Sequence, residues 1–172
     1  MSRHSLCAAL CTVALTLSPA LTFAQATKAA PKAAPKAAAK AAPKAGAVKT
    51  FNLTGTDTMK FAPAVIRVKA GDTVKVNLKT TSTMPKMAMA HNFVLLTAGA
   101  DPAAVATAGA TARQTDFISP KSKPQIIAAT SLAGGGETVT VEFTAPAAGK
   151  YTFICTFPGH FQGGMVGQLI VE

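Results

Sequence analysis

Apolar and polar residues alternate along much of the chain after residue 50, as they do in strands that bury one face. Residues 65–69 alternate, the Ala-Gly-Asp sequence at 70–72 supplies a turn, and residues 73–78 alternate again. Further strands are predicted at residues 92–96, 137–143, 151–155 and 167–171. The pattern therefore predicts many short strands joined by turns.

The segment from residue 101 to residue 113 departs from this pattern because it is rich in alanine. Asp101 is a suitable N-cap and Pro102 fits the first helical position, so a short helix is predicted there. Many short strands with one helical insertion are typical of an all-β sandwich made of two packed sheets. We predict that this domain spans residues 50–172.

The start of the chain has the three parts of a secretory signal peptide. Arg3 lies near the beginning, an apolar run extends over residues 6–23, and Ala24 and Ala26 are small residues suited to cleavage. We therefore predict a signal peptide over residues 1–26, and hence export. The alternative is an uncleaved membrane anchor, although a Ser-Pro pair interrupts the apolar run.

Residues 27–49 repeat a rough Ala-Ala-Pro-Lys unit and are predicted to form a disordered, extended linker. Six lysines in this linker supply much of the formal charge of +10. Residues 50–172 hold ten basic and seven acidic residues, a net charge of only +3. Nucleic-acid binding is not predicted, because no aromatic residues accompany the linker lysines. The linker is either a solubilising leader or a tether that reaches partners, the envelope or a membrane surface.

One of the three cysteines, Cys155, lies outside the predicted signal peptide and has no cysteine there with which to pair. Cys7 and Cys11 fall in the predicted signal peptide, so the exported chain keeps only Cys155. Exported proteins normally pair their cysteines or lack them. Cys155 is therefore predicted either to be buried and inert or to bind another group, such as a metal.

Three metal-ligating residue types follow one another at intervals of five near the C-terminus: Cys155, His160 and Met165. Glycine and proline between them allow this loop to fold around one point. His91, at the start of an apolar strand, is the only other histidine outside the predicted signal peptide. Two histidines, one cysteine and a distant methionine are the ligands of blue-copper electron-transfer sites. We predict one type 1 copper that cycles between Cu(I) and Cu(II).

Each of these residues also has a simpler interpretation when it is taken alone. Cys155 would be a buried structural thiol, His160 a solvated loop residue and Met165 a core-filling side chain. Structural zinc is disfavoured, because one cysteine and two histidines leave no fourth strong ligand. No enzymatic activity is predicted, because no nucleophile–base pair is visible and both histidines are assigned to copper.

Four segments carry a family resemblance. They read Met-Pro-Lys-Met-Ala-Met-Ala-His-Asn-Phe-Val-Leu at 84–95, Ile-Ile-Ala at 126–128, Gly-Gly-Gly-Glu at 134–137 and Cys-Thr-Phe-Pro-Gly-His at 155–160. These segments resemble azurins, which are blue-copper proteins of the cupredoxin family. The resemblance implies a Greek-key cupredoxin sandwich with a helical flap, and single-electron transfer in the bacterial periplasm. The ligand loop is one residue longer than in most azurins and is more similar to that of auracyanins.

The resemblance also implies roles for individual residues. The copper ligands that it implies are His91, Cys155, His160 and Met165. Asn92 and Thr156 are expected to support these ligands by hydrogen bonds without binding the metal. Ala90 stands where azurins have a glycine, and its backbone carbonyl is a further candidate for contact with the copper.

The resemblance further implies that the loop histidine, His160, lies in an apolar surface patch that forms the exit for electrons, and exposed apolar patches commonly mark docking surfaces. The predicted docking residues are Met84, Met87, Phe157, Pro158 and Phe161. The expected partners are redox proteins such as cytochromes or copper- or haem-containing reductases, and the protein itself is expected to be a monomer. The alternative function is a periplasmic copper carrier or store, in which Met84, Met87 and Met89 supply soft ligands for Cu(I).

Overall fold

The computed structural model describes residues 48–172. The predicted signal peptide (residues 1–26) and nearly all of the predicted linker (residues 27–49) lie outside this range. The described strands β1 to β9 span Val48–Thr56, Lys60–Ala62, Val65–Val68, Thr73–Thr81, Val94–Leu96, Ile126–Ala129, Thr138–Thr144, Gly149–Ile154 and Val166–Val171. One α-helix, α1, spans Pro102–Gly109, and two 3-10 helices span Arg113–Thr115 and Pro120–Gln125. None of the helices in residues 48–172 has the length and apolar character needed to cross a membrane.

The strands form two sheets, with the orders β2-β1-β4-β7 and β3-β9-β8-β5-β6. Both sheets are mixed, because β1 runs parallel to β4 and β3 runs parallel to β9, whereas the remaining neighbours are antiparallel. The helix α1 lies in the connection between β5 and β6. The predicted all-β sandwich of two sheets with a helical insertion is confirmed.

The main core is filled by every second residue of the strands. In β4, Val74, Val76 and Leu78 are fully buried, whereas the residues between them are more exposed. Such alternation fixes which face of a strand turns inward, because a shift of one residue would expose the whole apolar set. Phe93 and Phe153 complete the core, with ring centroids 4.8 Å apart. A second, smaller apolar cluster packs α1 against β5 and the end of β8.

Several elements differ from those predicted from the sequence. The strands β1, β2 and β6 and the two 3-10 helices were not predicted, and α1 ends at Gly109 rather than at residue 113. The helix cannot continue unchanged there, because the chain turns back until the carbonyl oxygen of Phe117 lies against Gly109. A side chain at position 109 would collide with that oxygen. The helix start agrees with the prediction, since Asp101 caps it by accepting a hydrogen bond from the Ala103 N–H at 2.9 Å.

Candidate metal centre

Three elements bring the predicted metal-ligating residues to one end of the sandwich. His91 precedes β5 and pairs with Ala133 through two backbone hydrogen bonds of 2.8 and 2.9 Å. Cys155 follows the last residue of β8, and Met165 precedes the first residue of β9. The Cys155 N–H donates to the Met165 carbonyl at 3.2 Å, which closes the neck of the loop between β8 and β9. His160 lies within that loop, and its carbonyl accepts a hydrogen bond of 2.9 Å from the Met165 N–H.

The potential ligand atoms of His91, Cys155 and His160 lie within 4.8 Å of one another. The two histidine Nδ1 atoms are 3.1 Å apart, and the Cys155 sulfur is 4.0 Å from Nδ1 of His91 and 3.5 Å from Nδ1 of His160. His91, Cys155 and Met165 are fully buried, and His160 is 4% exposed. The thiol of Cys155 forms no disulfide. Two imidazoles and one free thiol therefore meet at a single point that is screened from solvent.

Burial keeps this cluster uncharged in the absence of a metal. Desolvation raises the pKa of the Cys155 thiol to about 11, against opposing contributions from backbone hydrogen bonds. Desolvation, assisted by the neighbouring His91, lowers the pKa of His160 to about 4. Desolvation also lowers the pKa of His91, although Asp57 and the backbone of Thr56 oppose this change. Neutral imidazoles keep a free nitrogen lone pair, which is the form that binds metals.

The opposite edge of the His91 ring packs against β1 of the other sheet. A Cβ at Gly55 would lie 2.7 Å from Cδ2 of His91, so the ring takes up the space in which any side chain at this position would begin. The Nε2 atom of His91 is buried and makes no hydrogen bond of ordinary geometry within residues 48–172. Because this edge of the ring faces β1, Nδ1 is left facing the thiol and the second imidazole. The fixed orientation of the ring, with Nδ1 turned toward the Cys155 thiol and the His160 imidazole, fits a site built for a metal.

Asn92, the residue that follows His91, is hydrogen-bonded to Thr156 at the start of the loop formed by residues 155–165. Its side-chain carbonyl accepts the Thr156 N–H at 2.8 Å, and its amide group donates to the Thr156 hydroxyl at 2.9 Å and to the Asp116 carbonyl at 2.8 Å. Asn92 is fully buried and Thr156 is 1% exposed. The two residues predicted to support the ligands thus bind each other. The part played by the Asp116 carbonyl was not predicted. Asp116 has a left-handed φ of 54°, which could not be predicted from the sequence.

The ligand loop contains two tight turns that depend on glycine. Gly159 and Gly164 have φ values of 84° and 88°, a conformation that residues with a side chain rarely adopt. Between them, the Gly163 N–H donates to the Gly159 carbonyl at 2.9 Å. On the outer side, the Phe157 ring lies against the His160 ring, with centroids 4.6 Å apart. The loop therefore turns His160 inward beneath an aromatic cover.

The predicted docking residues differ in how exposed they are. Met84 and Met87 are 44% and 72% exposed, and Pro158 is exposed as well. Phe157 and Phe161 are only half-buried, and Phe161 packs against the second apolar cluster beneath α1. Met87 lines a cavity of about 290 Å³ together with Lys86, Arg113, Phe117, Leu132 and Phe157. This cavity could not be predicted from the sequence, because its residues come from four separate segments.

A buried cluster of two histidines and one cysteine lies at the end of a two-sheet sandwich, where the loop that contributes Cys155 and His160 closes on Met165. This cluster defines a site for a single metal with soft ligands. Comparison with known proteins identifies the family. The family model described as copper binding proteins, plastocyanin/azurin family, matches residues 48–172. The chain belongs to this plastocyanin/azurin family of copper-binding proteins.

Two relatives and one solved structure illustrate the similarity. Auracyanin-A of Chloroflexus aurantiacus is 41% identical over 117 residues, which cover 67% of this chain and 69% of that protein. Outer membrane protein H.8 of Neisseria meningitidis serogroup B is 40% identical over 107 residues, which cover 60% of this chain and 57% of that protein. The solved structure of auracyanin A, a "blue" copper protein, superimposes with a TM-score of 0.66 at 38% identity and covers 73% of this chain and 99% of that one.

The predicted cofactor is confirmed. Copper is the metal of this family, and the buried His-Cys-His cluster with its neighbouring methionine is consistent with one type 1 copper. Blue-copper cupredoxins typically transfer electrons between redox partners.

Proposed function

We propose that this protein is a periplasmic one-electron carrier that binds its type 1 copper through His91, Cys155, His160 and Met165. The observation that carries the proposal is the convergence of two imidazoles and one free thiol within 4.8 Å in a buried site. A thiolate and two imidazoles with a weak thioether are the ligand set of blue-copper electron-transfer sites. We assign the backbone carbonyl of the fully buried Ala90 as a further contact.

The surroundings of the ligands suit electron transfer because they resist movement when the oxidation state changes. Copper bound there supplies the Cu(II)/Cu(I) couple. The pair formed by Asn92 and Thr156 fixes the start of the ligand loop, and Gly55 holds the His91 ring from the opposite sheet. The Phe157 ring covers His160 and limits the access of water. A fixed and dry ligand set lowers the reorganisation that electron transfer requires.

A visible absorption spectrum tests the ligand assignment. The purified protein with Cu(II) should show an intense blue band that bleaches with ascorbate, and Cys155→Ser should abolish that band because the thiolate–copper bond is lost. Met165→Leu should keep the colour but shift the reduction potential. Met84→Leu, a matched change at a methionine that is 44% exposed, should alter neither property. A blue band that persists in Cys155→Ser would refute the assignment.

We propose that redox partners dock on a face formed by Met84, Met87, Phe157, Pro158 and Phe161. The exposure of the two methionines and the contact between the Phe157 and His160 rings support this face. Lys86 and Arg113 line the adjoining cavity, and because Lys86 is paired with Glu137, Arg113 supplies the net positive charge at this rim. The matching partner is a cytochrome or a copper- or haem-containing reductase that presents an apolar centre with acidic groups around it.

Met87→Lys tests this docking face. Oxidation by a soluble c-type cytochrome should slow by about tenfold, because a charge is placed in an apolar contact, while the copper spectrum stays unchanged. Val48→Lys is the matched control, since Val48 is also exposed, at 66%, and lies at the far end of β1 from Gly55. Equal rates for the two variants would contradict the proposed face.

Export and domain organisation form part of the same proposal. Because β1 begins at Val48, we assign residues 1–26 as a cleaved signal peptide, residues 27–47 as a basic linker with a role in envelope contact, and residues 48–172 as the copper domain, which acts as a monomer. The match to outer membrane protein H.8 supports an envelope location. The mass of the protein purified from a periplasmic fraction should correspond to a chain that starts after Ala26. A full-length chain held in the membrane fraction would contradict this assignment.

A copper carrier or store is the second candidate, and the exposure of Met84 and Met87 favours it. Against it, the Met87 sulfur already accepts a hydrogen bond of 2.7 Å from Arg113, and Met89 is partly buried. A Cu(I) chelator distinguishes the two functions. An electron carrier should retain its copper for hours, whereas a carrier of copper should release it within minutes. An enzymatic role has no support in the site, because both of its histidines belong to the metal cluster.

A further inference from the structure

The hairpin formed by β1 and β2 contacts the ligand loop from outside the ligand set. The Lys60 ammonium group, on β2, donates hydrogen bonds of 3.2 Å to the carbonyl of Gly163 and of 3.2 Å to the carbonyl of Gly164. These two glycines directly precede Met165, the proposed axial ligand. A single cation thus joins two successive carbonyls next to the methionine, across more than 100 residues of sequence.

The geometry of the hairpin explains how Lys60 reaches the loop. Thr56 pairs with Lys60 across a three-residue connection, and the Met59 N–H donates to the Thr56 carbonyl at 2.9 Å. Met59 has a left-handed φ of 56°. A turn that ends in a left-handed residue is a common way to close a three-residue hairpin. This turn places the side chains of Met59 and Lys60 next to the ligand loop.

Met59 and Lys60 occupy the space that side chains in the loop would otherwise fill. A Cβ at Gly163 would lie 2.6 Å from the Met59 sulfur, and a Cβ at Gly164 would lie 2.5 Å from the Lys60 ammonium nitrogen. The two glycines have no side chains with which to fix their own position, and glycine is the least restrained residue when a chain unfolds. The hairpin therefore supplies contacts that this part of the loop lacks.

We propose that Lys60 is a positioning residue for Met165, and that its positive charge raises the reduction potential of the copper. This inference rests on the proposed function. The tether fixes the backbone that carries the axial thioether. The charge disfavours the extra positive charge of Cu(II) relative to Cu(I), and salt screens this effect because Lys60 is exposed. Met59 supports the same segment by packing alone.

Three variants separate the tether from the charge. Lys60→Arg keeps both, Lys60→Gln keeps hydrogen-bond donors without the charge, and Lys60→Met removes both. Lys79→Met is the matched control: it removes the same charge from an exposed lysine of β4 whose side chain makes no hydrogen bond within residues 48–172. The reduction potential should fall in Lys60→Met and in Lys60→Gln and stay close to the original in Lys60→Arg. The shift in Lys60→Gln should shrink as ionic strength rises.

A second measurement uses the metal-free protein, so that it does not depend on the copper. The amide protons of Gly164 and Met165 donate to loop carbonyls at 2.9 Å, and their hydrogen exchange reports on loop opening. Exchange should be several-fold faster in Lys60→Met than in Lys79→Met and close to the original in Lys60→Gln.

Potentials and exchange rates in Lys60→Met that match those in Lys79→Met would overturn the inference. Failure of the proposed function would look different: the unmodified protein would then show no intense blue band with Cu(II). The exchange measurement would still test the tether in that case.

Discussion

The Asn92 side chain offers the sharpest test of how the site is held together. Asn92→Ala removes three hydrogen bonds of 2.8, 2.8 and 2.9 Å from a fully buried position. The Thr156 N–H and the Asp116 carbonyl would then remain without these partners. Leaving a buried polar group unpaired costs about 1–3 kcal/mol. The substitution should therefore destabilise the metal-free protein by about 3 kcal/mol, a large part of the stability of a typical domain.

Thermal and urea unfolding of the metal-free protein measure this effect without a contribution from copper binding. A loss of about 3 kcal/mol corresponds to a fall in the midpoint temperature of about 10–15 °C for a domain of this size. Thr156→Val should cost only about 1 kcal/mol, because it removes one hydroxyl acceptor while the Thr156 N–H keeps its bond to Asn92. Asn92→Ala should also weaken copper binding by about 10–100-fold, as expected for a residue that orients metal ligands.

Asn52→Ala provides the control. Asn52 is exposed and accepts a hydrogen bond of 2.8 Å from Asn77, so its removal should change stability by less than about 0.5 kcal/mol. If Asn92→Ala were no more destabilising than Asn52→Ala, the hydrogen bonds of Asn92 would not hold the loop, and the reasoning would be refuted.

Three further predictions follow from packing and charge. Gly55→Ala should displace the His91 ring, which would lie 2.7 Å from the new Cβ, and should alter the copper spectrum more than it alters overall secondary structure measured by circular dichroism. Phe93→Ala should cost about 3–5 kcal/mol in urea unfolding, since Phe93 is fully buried in the main core. Hydrogen bonds from Lys86 and from a backbone amide lower the pKa of Glu137, so the ion pair stabilises the fold above the unfolded pKa near 4.5. The advantage of the original protein over Glu137→Gln in thermal unfolding should be present at pH 7 and disappear as the pH falls through the lowered pKa.

Two of the strands predicted from alternation agree closely with the structure. Residues 65–69 and 73–78 were predicted as strands, and β3 and β4 span Val65–Val68 and Thr73–Thr81. The alternation is readable because one face is buried and the other is not. The helix start was also predictable, since capping by Asp101 is a local interaction. These features depend on residues close to one another in the chain.

Features that depend on distant contacts could not be predicted in this way. β2 contains only three residues and exists because it pairs with the end of β1. The parallel pairing of β1 with β4 leaves no mark in the sequence of either strand, and neither does the left-handed pair Asp116 and Phe117. The carbonyl oxygen of Phe117 lies against Gly109, and the composition of residues 101–113 gives no indication of this contact, so the predicted helix extended too far.

In the candidate site, too, some residues could be predicted from the sequence and others could not. The proposed ligands Cys155, His160 and Met165 were predicted from their spacing, and His91 by elimination, because residues of metal-ligating types are chemically distinctive. The residues that hold these ligands are not distinctive. Gly55 matters only because the ring of His91 lies against it, and nothing about the residue itself indicates that contact.

Several residues that contact the proposed ligands or their loop lie outside residues 155–165. Lys60 lies on β2, Gly55 on β1 and Asn92 just before β5, so both sheets contribute. The loop from 155 to 165 supplies three of the four proposed ligands and is closed by its own backbone hydrogen bonds, whereas the contacts from Lys60 and Asn92 come from outside it. Transfer of this loop alone to another sandwich would therefore carry the ligand chemistry without these outside contacts. The glycines of the loop make it adaptable, and the surrounding strands restrict it to one arrangement, which is what a site with the same shape in two oxidation states requires.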